Sequence, residues 1–353
     1  MNTNNIITEH SKVKLEIYAA YLKTYLSIMA LPVIPFRDIT IVDPFAGMGK
    51  DDNGEKGSAL IAYEAIKEKM PDFIKTHKLP HLELNEFDGK RFAKLKENVP
   101  ADIFVRFSSN VADNFISDIS SRLVGHSLFF IDPFGYSQIS KDTYDRCLFG
   151  KYNTDILIFI PIYHIYRFLR KKENSEQLKP IAAFLKDIDI SESNATSVRN
   201  YQEFTNVIRV ALKAKANTQF VYYKMINNEK TNSHYALFYI SRNILGAEKF
   251  LESIDRMRQP NLLYSIMSEP EQQRFINGLQ KMGVLNNCQI YQAGIICGLL
   301  PKEVRTILKS LENEGKIVVK PCDGYERKRK GFPIDYSDYT ARQAKFEILW
   351  VAK

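Results

Sequence analysis

Short apolar runs alternate with helix-period segments over the first 165 residues of the chain. Five runs rich in β-branched and aromatic residues have the length and composition of strands. They lie at 39–42, 81–86, 103–107, 127–131 and 154–160. Segments with apolar residues three and four apart predict helices. They lie at 11–29, from Ser58 (expected to be the N-cap of its helix), at 91–97 and at 114–123. This alternation predicts an α/β fold with a doubly wound, mostly parallel sheet.

The pattern changes after residue 165. Residues from about 170 to 216 are polar and mixed, which favours a helical insertion. The runs 220–226 and 235–241 flank a polar turn, so we expect a hairpin that adds antiparallel strands to the edge of the sheet. We place the end of this first domain near residue 260 and a second domain at 261–353.

The second domain has its own pattern. Helices are expected at 271–281, at 289–298 and from Pro301 to Gly315, followed by a strand at 316–320 and a turn at Asp323 and Gly324. Helix, turn, helix, strand and turn in this order predict a winged helix-turn-helix.

Composition limits the classes of protein. With 353 residues and 45% hydrophobic content, the chain can form two domains. The 49 basic and 41 acidic residues give a net charge of +8, which allows an acidic partner such as nucleic acid. Four scattered cysteines without a CxxC pair favour neither a zinc site nor a disulfide framework. The polar N-terminus and the lack of an apolar run of ~20 residues predict a cytoplasmic protein outside the membrane.

Polar or glycine-rich positions follow four of the predicted strands. The first strand leads into Asp43-Pro-Phe-Ala-Gly-Met-Gly49, the second ends at Glu86, the third at Asn110 and the fourth at Asp132. The carboxyl ends of parallel strands meet at one edge of a sheet, so these positions can line one adenosine site. Glu86 would accept the ribose hydroxyls, and Asn110 could contact an adenine edge. The candidate cofactor-binding residues are Asp43, Phe45, Ala46, Gly47, Gly49, Glu86 and Asn110.

Taken one at a time, each of these residues could also belong to an ordinary turn at the end of a strand, without any ligand. The glycine spacing is neither GxGxxG nor GxxxxGK[ST], which disfavours NAD and P-loop ATP sites.

The segment after the fourth strand carries the candidate chemistry. Asp132 could orient a nucleophile or accept its proton, and Tyr136 could stack on a base. The candidate catalytic residues are Asp132, Pro133, Phe134 and Tyr136. His164 and His234 are alternative bases, although lone histidines are more often structural.

The second domain carries a run of basic residues next to Tyr325 at the predicted wing tip. Four consecutive basic residues at the wing tip, together with two basic residues on the preceding helix, could bind the phosphate backbone of a nucleic acid. These residues are Arg305, Lys309, Arg327, Lys328, Arg329 and Lys330. Alternatively, these basic residues could form a solvated face, or the domain could contact a protein.

These motifs resemble a known fold family. The Asp43–Gly49 stretch is similar to the first motif of DNA and RNA amino-methyltransferases, and Asp132-Pro-Phe is similar to their fourth motif, with Phe134 in place of a second proline. The resemblance implies the class I methyltransferase fold, which is Rossmann-like and binds S-adenosylmethionine, and an acid that holds a target amine.

The chain also resembles the three-Cys-motif partner family, TcmP, over about residues 10–255. The resemblance rests on 10–29, the 43–49 stretch with 54–58, 86–92, 129–136 and Arg167-Phe168. Two positions depart from it: many relatives have Asp-Gly at 43–44, and an Asp is usual at Asn110. The resemblance implies methyl transfer and a protein partner with a cysteine motif.

Three functions stay open. The first is an S-adenosylmethionine-dependent methyltransferase that acts on nucleic acid and carries a winged-helix reader. The second is a catalytically inactive methyltransferase-like partner or DNA-binding subunit in a prokaryotic defence or mobile-element system. The third is methylation of a protein partner.

Overall fold

The computed structural model describes residues 7, 9–133, 138–150, 153–171, 178–228, 233–257, 269–322, 324–326 and 331–351. The chain divides into two compact units, one up to Asn243 and one from Ile244. This division falls before the boundary expected near residue 260. The helix that begins at Ile244 packs against a helix of the second unit, and it therefore belongs there.

A seven-stranded sheet forms the centre of the first unit, in the order β3-β2-β1-β4-β5-β7-β6. The strands β1 to β5 are parallel, and β7 runs antiparallel to both β5 and β6. The mostly parallel sheet and the antiparallel hairpin at its edge are thus confirmed. The strand bounds are β1 Asp38–Asp43, β2 Leu79–Asn85, β3 Val105–Ser108, β4 His126–Ile131, β5 Thr154–Ile160, β6 Phe220–Asn228 and β7 Ser233–Ser241.

Helices cover both faces of this sheet. Phe130 of β4 stacks on Tyr18 of the first helix, with ring centroids 4.2 Å apart. Its neighbour Phe129 points to the opposite face, where it joins a buried cluster with Phe115 and Ile116. Covering on both faces explains why β4 and β5 are apolar from their third residue onward. The helices are α1 Glu9–Met29, α2 Ser58–Lys75, α3 Gly89–Asn98, α4 Ala112–Arg122, α5 Ile162–Lys171, α6 Leu178–Asp187, α7 Glu192–Thr196 and α8 Tyr201–Lys215, with a π-helical segment at Thr143–Leu148.

The start of α2 differs from the sequence-based expectation. The N-cap is Gly57, and Ser58 is the first helical residue. The Ser58 hydroxyl donates a 2.6 Å hydrogen bond to Asp43 Oδ2. The prediction of Ser58 as N-cap was wrong because this hydroxyl binds a buried carboxylate instead of the backbone of its own helix.

The second unit combines helices with a small antiparallel sheet of order β8-β10-β9. The predicted helices and the strand after α12 are present, whereas β8, β10 and α13 have only weak sequence signals. The bounds are α9 Ile244–Arg256, α10 Glu269–Met282, β8 Leu285–Asn286, α11 Asn287–Ile296, α12 Pro301–Asn313, β9 Ile317–Pro321, α13 Tyr336–Ala341 and β10 Phe346–Trp350.

Among the described helices of both units, none is both long and apolar enough to span a bilayer.

Candidate functional site

The strand order reverses between β1 and β4, since β2 and β3 lie on one side of this pair and β5 on the other. In open parallel sheets, ligands bind in the crevice at the carboxyl ends of the strands where the order reverses. Two cavities lie at this edge, and Phe45 and Arg91 line both of them.

We call the first the Glu86 cavity. Its volume is 480 Å³, and its lining includes Glu86, Phe87 and Val111. Glu86 follows β2 directly and is nearly buried, and one of its carboxylate oxygens accepts the Asp88 N–H at 2.9 Å. Phe87 is 68% exposed and Val111 is 50% exposed, so two large apolar side chains are open to solvent beside this carboxylate. An acid next to an apolar slot suits a flat ring that carries a hydroxylated sugar.

We call the second the glycine-loop cavity. Its volume is 310 Å³, and it lies between the loop after β1, helix α1 and Asp132. Gly47 and Gly49 both have positive φ, at 64° and 77°. A Cβ atom on Gly47 would meet nothing within 4 Å, whereas one on Gly49 would lie 3.1 Å from Val99 Cγ2. Gly47 therefore leaves open space beside the cavity, and Gly49 lets the loop pack closely on the end of α3.

Asp43 lies beneath the loop. Its residue is 0% exposed, and its carboxylate accepts the Phe45 N–H at 3.1 Å and the Ser58 hydroxyl at 2.6 Å. Burial raises the pKa of Asp43 to about 7, the charges of Asp132 and Glu86 add to the increase, and the two hydrogen bonds oppose it. Asp43 was a candidate for cofactor contact, and the structure places it beneath the loop, outside the lining of both cavities.

Asn85 connects three strand ends and was missed by the sequence analysis. Its amide nitrogen donates to the carbonyls of Pro44 and Asn110 at 3.1 and 3.0 Å, and its oxygen accepts the Asn110 N–H at 2.9 Å. The Ala46 N–H also donates to the Asn85 carbonyl at 2.9 Å. The sequence gives only a slight signal for this role. Asn85 is a single amide that directly follows the alternating apolar and polar residues Leu82 to Leu84.

The side chain of Asn110 is placed differently from the expectation of an adenine contact. Asn110 is exposed, and its amide donates to Ser108 Oγ at 2.9 Å. The neighbouring Val111 and Ala112 line the Glu86 cavity. The Asn110 backbone is held by the Asn85 side chain.

Asp132 lines the glycine-loop cavity together with Lys14 of α1. The Lys14 ammonium donates to Asp132 Oδ2 and lies 4.5 Å from the centroid of the Phe159 ring. The Lys14 side chain is 6% exposed and that of Asp132 is 27% exposed. The sequence analysis did not identify Lys14, because a lysine on an amphipathic helix is normally solvated. Pro133 follows Asp132, whereas Phe134 and Tyr136 lie outside the described residues.

The two histidines considered as alternative bases are half-buried. Burial lowers the pKa of both, and the nearby Arg167 lowers that of His164 further. His234 stacks on Tyr201 with centroids 3.9 Å apart, and its Nδ1 lies 2.8 Å from Asn227 Oδ1. These contacts give His234 a structural role.

The basic residues of the second unit divide into two kinds. The Arg305 guanidinium donates to the carbonyls of Phe332 and Ile334 at 3.1 and 2.6 Å, so it holds the segment before α13. Lys309 is exposed on α12. The run Arg327, Lys328, Arg329 and Lys330 lies outside the described residues, as does Asp323.

In the part of the chain that the structure describes, no cluster of three or more His, Cys, Asp or Glu side chains could hold a metal ion.

No model of a known protein family matches the chain, and no curated protein matches it. The resemblance to TcmP therefore stays a prediction.

Solved structures give weak similarities. Protein LPL1258 from Legionella pneumophila is 13% identical, over 72% of this chain and 91% of its own, with a TM-score of 0.38. The O-methyltransferase TomG from Streptomyces achromogenes, in complex with SAM, is 10% identical over 62% and 79%, with a TM-score of 0.33. PKMT2 from Rickettsia typhi, in complex with AdoHcy, is 10% identical over 84% and 73%, with a TM-score of 0.32. At these TM-scores, nothing about the activity of this chain follows from the matches.

Proposed function

We propose that the chain is an S-adenosylmethionine-dependent methyltransferase that acts on nucleic acid. One observation carries the proposal. At the point where the strand order reverses, an acid beside an apolar slot, an open glycine backbone and a second acid follow one another along a single edge. This order matches the ribose and adenine, the amino-acid part and the reacting methyl group of the cofactor.

The residues of the two cavities fit the cofactor in distinct roles. Glu86 has one carboxylate oxygen on the Asp88 N–H, and its other oxygen can accept the ribose hydroxyls. Phe87 and Val111 can cover the two faces of the adenine, because both are exposed beside Glu86. The backbone at Gly47 can lie against the amino-acid part, since no side chain intervenes there.

The chemistry asks little of the protein beyond alignment. The cofactor supplies a methyl group on a reactive sulfonium, so holding a nucleophile at close approach provides much of the rate. Asp132 lies at the wall of the glycine-loop cavity and can accept a hydrogen bond or a proton from that nucleophile.

The nucleic-acid part of the proposal rests on the charge and on the second unit. The chain carries a net charge of +8. The order α10, β8, α11, α12, β9, α13 and β10 with an antiparallel sheet supports a winged helix-turn-helix, in which α13 is inserted between the two strands β9 and β10. In that arrangement Lys309 on α12 and the run from Arg327 to Lys330 would contact phosphates.

Calorimetry with S-adenosylmethionine and S-adenosylhomocysteine tests the cofactor site. We expect micromolar binding by the full chain and at least a tenfold loss in Glu86→Ala, because two ribose hydrogen bonds to a charged group are removed. Glu97→Ala, on the exposed side of α3, is the matched control and should bind as the unmodified chain does. No binding at high micromolar concentration would contradict the proposal.

A second candidate is a cofactor-binding subunit without catalysis, with a cysteine-motif protein as its partner. The pairing of Asp132 with Lys14 favours it, since one carboxylate oxygen is already engaged. Incubation with methyl-labelled cofactor and total cellular RNA, DNA and protein separates the candidates. Label in nucleic acid supports the first, label in protein points to protein methylation, and cofactor binding without label supports the second.

A further inference from the structure

We infer that Lys14 neutralises Asp132 at the reacting end of the site, so that the acceptor is a neutral nucleophile such as the amine of a nucleobase. A cationic acceptor, such as a lysine side chain of a protein, would then be disfavoured. This inference rests on the proposed function, since it assumes that the methyl group points toward Asp132.

The geometry gives Lys14 a fixed position. It lies on α1, which covers the sheet from one face, and its ammonium is held between Asp132 Oδ2 and the Phe159 ring. The face of an aromatic ring attracts a cation. With 6% of its side chain exposed, Lys14 has little freedom to turn toward solvent.

The charge balance follows from this pair. A carboxylate facing the cavity alone would attract any cation that reached it, whereas the pair of Lys14 and Asp132 is neutral as a whole. Among the described residues Asp132 Oδ1 has no hydrogen-bond partner, so it can accept one N–H from an incoming amine. A protonated lysine in the same place would lie close to the Lys14 ammonium, and it would also have to lose its proton before it could react.

The transfer step balances for a neutral amine. A bond forms between the acceptor nitrogen and the methyl carbon, and the bond between sulfur and that carbon breaks, leaving a neutral thioether. The nitrogen then carries the positive charge, and its surplus proton passes to Asp132 Oδ1 and from there to water.

Sinefungin gives a test that needs no acceptor. This analogue carries a protonated amine where the cofactor carries its methyl group, whereas S-adenosylhomocysteine carries nothing there. The measured quantity is the dissociation constant of S-adenosylhomocysteine divided by that of sinefungin, so a higher ratio means a preference for sinefungin. Both constants are determined by calorimetry on the full chain. In the unmodified chain we expect the ratio to lie within about threefold of one, because the pair is neutral.

The variants should move this ratio in opposite directions. In Lys14→Met an unpaired carboxylate remains, so the preference for sinefungin should rise about tenfold. In Asp132→Asn an unpaired ammonium remains, so the preference should fall about tenfold. The double variant should return to the starting ratio. Lys23→Met, at an exposed position of the same helix, is the control and should leave the ratio unchanged.

The outcomes are distinct. An unmodified chain that binds neither compound overturns the proposed function. Variants that bind S-adenosylhomocysteine normally but keep the starting ratio overturn the role of Lys14 while leaving the cofactor site intact. If Lys14→Met does not fold, the Asp132→Asn variant provides the test. A ratio in this variant that is not lower than in the unmodified chain would contradict the inference.

Discussion

The buried environment of Asp43 opposes its ionisation, and the stability of the folded chain therefore depends on pH through this residue. Its pKa rises from an ordinary value of 3.8 to about 7 in the folded chain. Between these pH values the unfolded chain has released this proton while the folded chain still holds it. The contribution of Asp43 to stability is therefore complete below about pH 4 and is lost as the pH rises toward 7.

Asp43→Asn tests this linkage, since an amide cannot ionise. Between pH 5 and pH 8 the unmodified chain should lose roughly 2 kcal/mol of unfolding free energy relative to the variant. Denaturant unfolding of both proteins at the two pH values gives the difference directly. Acids distant from Asp43 titrate equally in both proteins and cancel. A difference that is the same at both pH values would refute the raised pKa.

The two glycines of the loop should respond differently to an added methyl group. Both have positive φ, so alanine at either position costs about 1 kcal/mol of stability from backbone strain. Gly47→Ala adds only a methyl group in open space beside the glycine-loop cavity, and it should fold but bind S-adenosylhomocysteine at least tenfold more weakly. Gly49→Ala should also crowd Val99 and Asn98 and melt at a lower temperature. Unchanged binding by Gly47→Ala would show that no ligand lies against this backbone.

At the scale of elements, the sequence predicted the sheet better than the contacts within the site. Periodicity and strand composition located β1 to β7, because alternating or continuous apolar residues mark strands that are buried on one or both faces. The two-residue strand β8 and the six-residue helix α13 are too short for a period to be visible. Long-range pairs such as Lys14 with Asp132 were not predictable, since 118 residues separate the partners and no local pattern links them.

Asn85 shows how one side chain joins three elements. Asn85→Leu preserves the size of the side chain but leaves the backbone groups of Pro44 and Asn110 without these partners. We expect a loss of about 3 kcal/mol in unfolding free energy, because each buried polar group left unpaired costs about 1 to 3 kcal/mol. Binding of S-adenosylhomocysteine should weaken as well, since Pro44 and Asn85 line the Glu86 cavity.

Asn110→Ala is the matched control for this prediction. Among the described residues its side-chain amide reaches only Ser108 at the surface, so its removal should cost less than about 0.5 kcal/mol. Thermal and denaturant unfolding of the two variants give the comparison. Equal losses would contradict the role of Asn85 as the connecting residue.

At the scale of the whole molecule, the chain joins a unit that contains both cavities to a unit that combines helices with a small antiparallel sheet. The excess of positive charge is modest, at +8 over 353 residues. If nucleic acid is the partner, binding must depend on where that charge is concentrated, and the densest run in the sequence is Arg327 to Lys330.

Replacing Arg327, Lys328, Arg329 and Lys330 with glutamine tests this directly. Each DNA phosphate that the protein no longer neutralises reduces the slope of log affinity against log salt by about 0.9, so removing all four cations reduces it by about 3 to 4. Fluorescence anisotropy with duplex and single-stranded oligonucleotides, over a salt series, measures the slope. The control replaces Lys23, Lys67, Lys75 and Lys94, exposed lysines of the first unit, and removes the same total charge. A change in net charge alone would affect both variants alike. A larger reduction of the slope in the Arg327–Lys330 variant than in the control would therefore assign phosphate binding to this run. Equal slopes in the two variants would mean that the run is a solvated face.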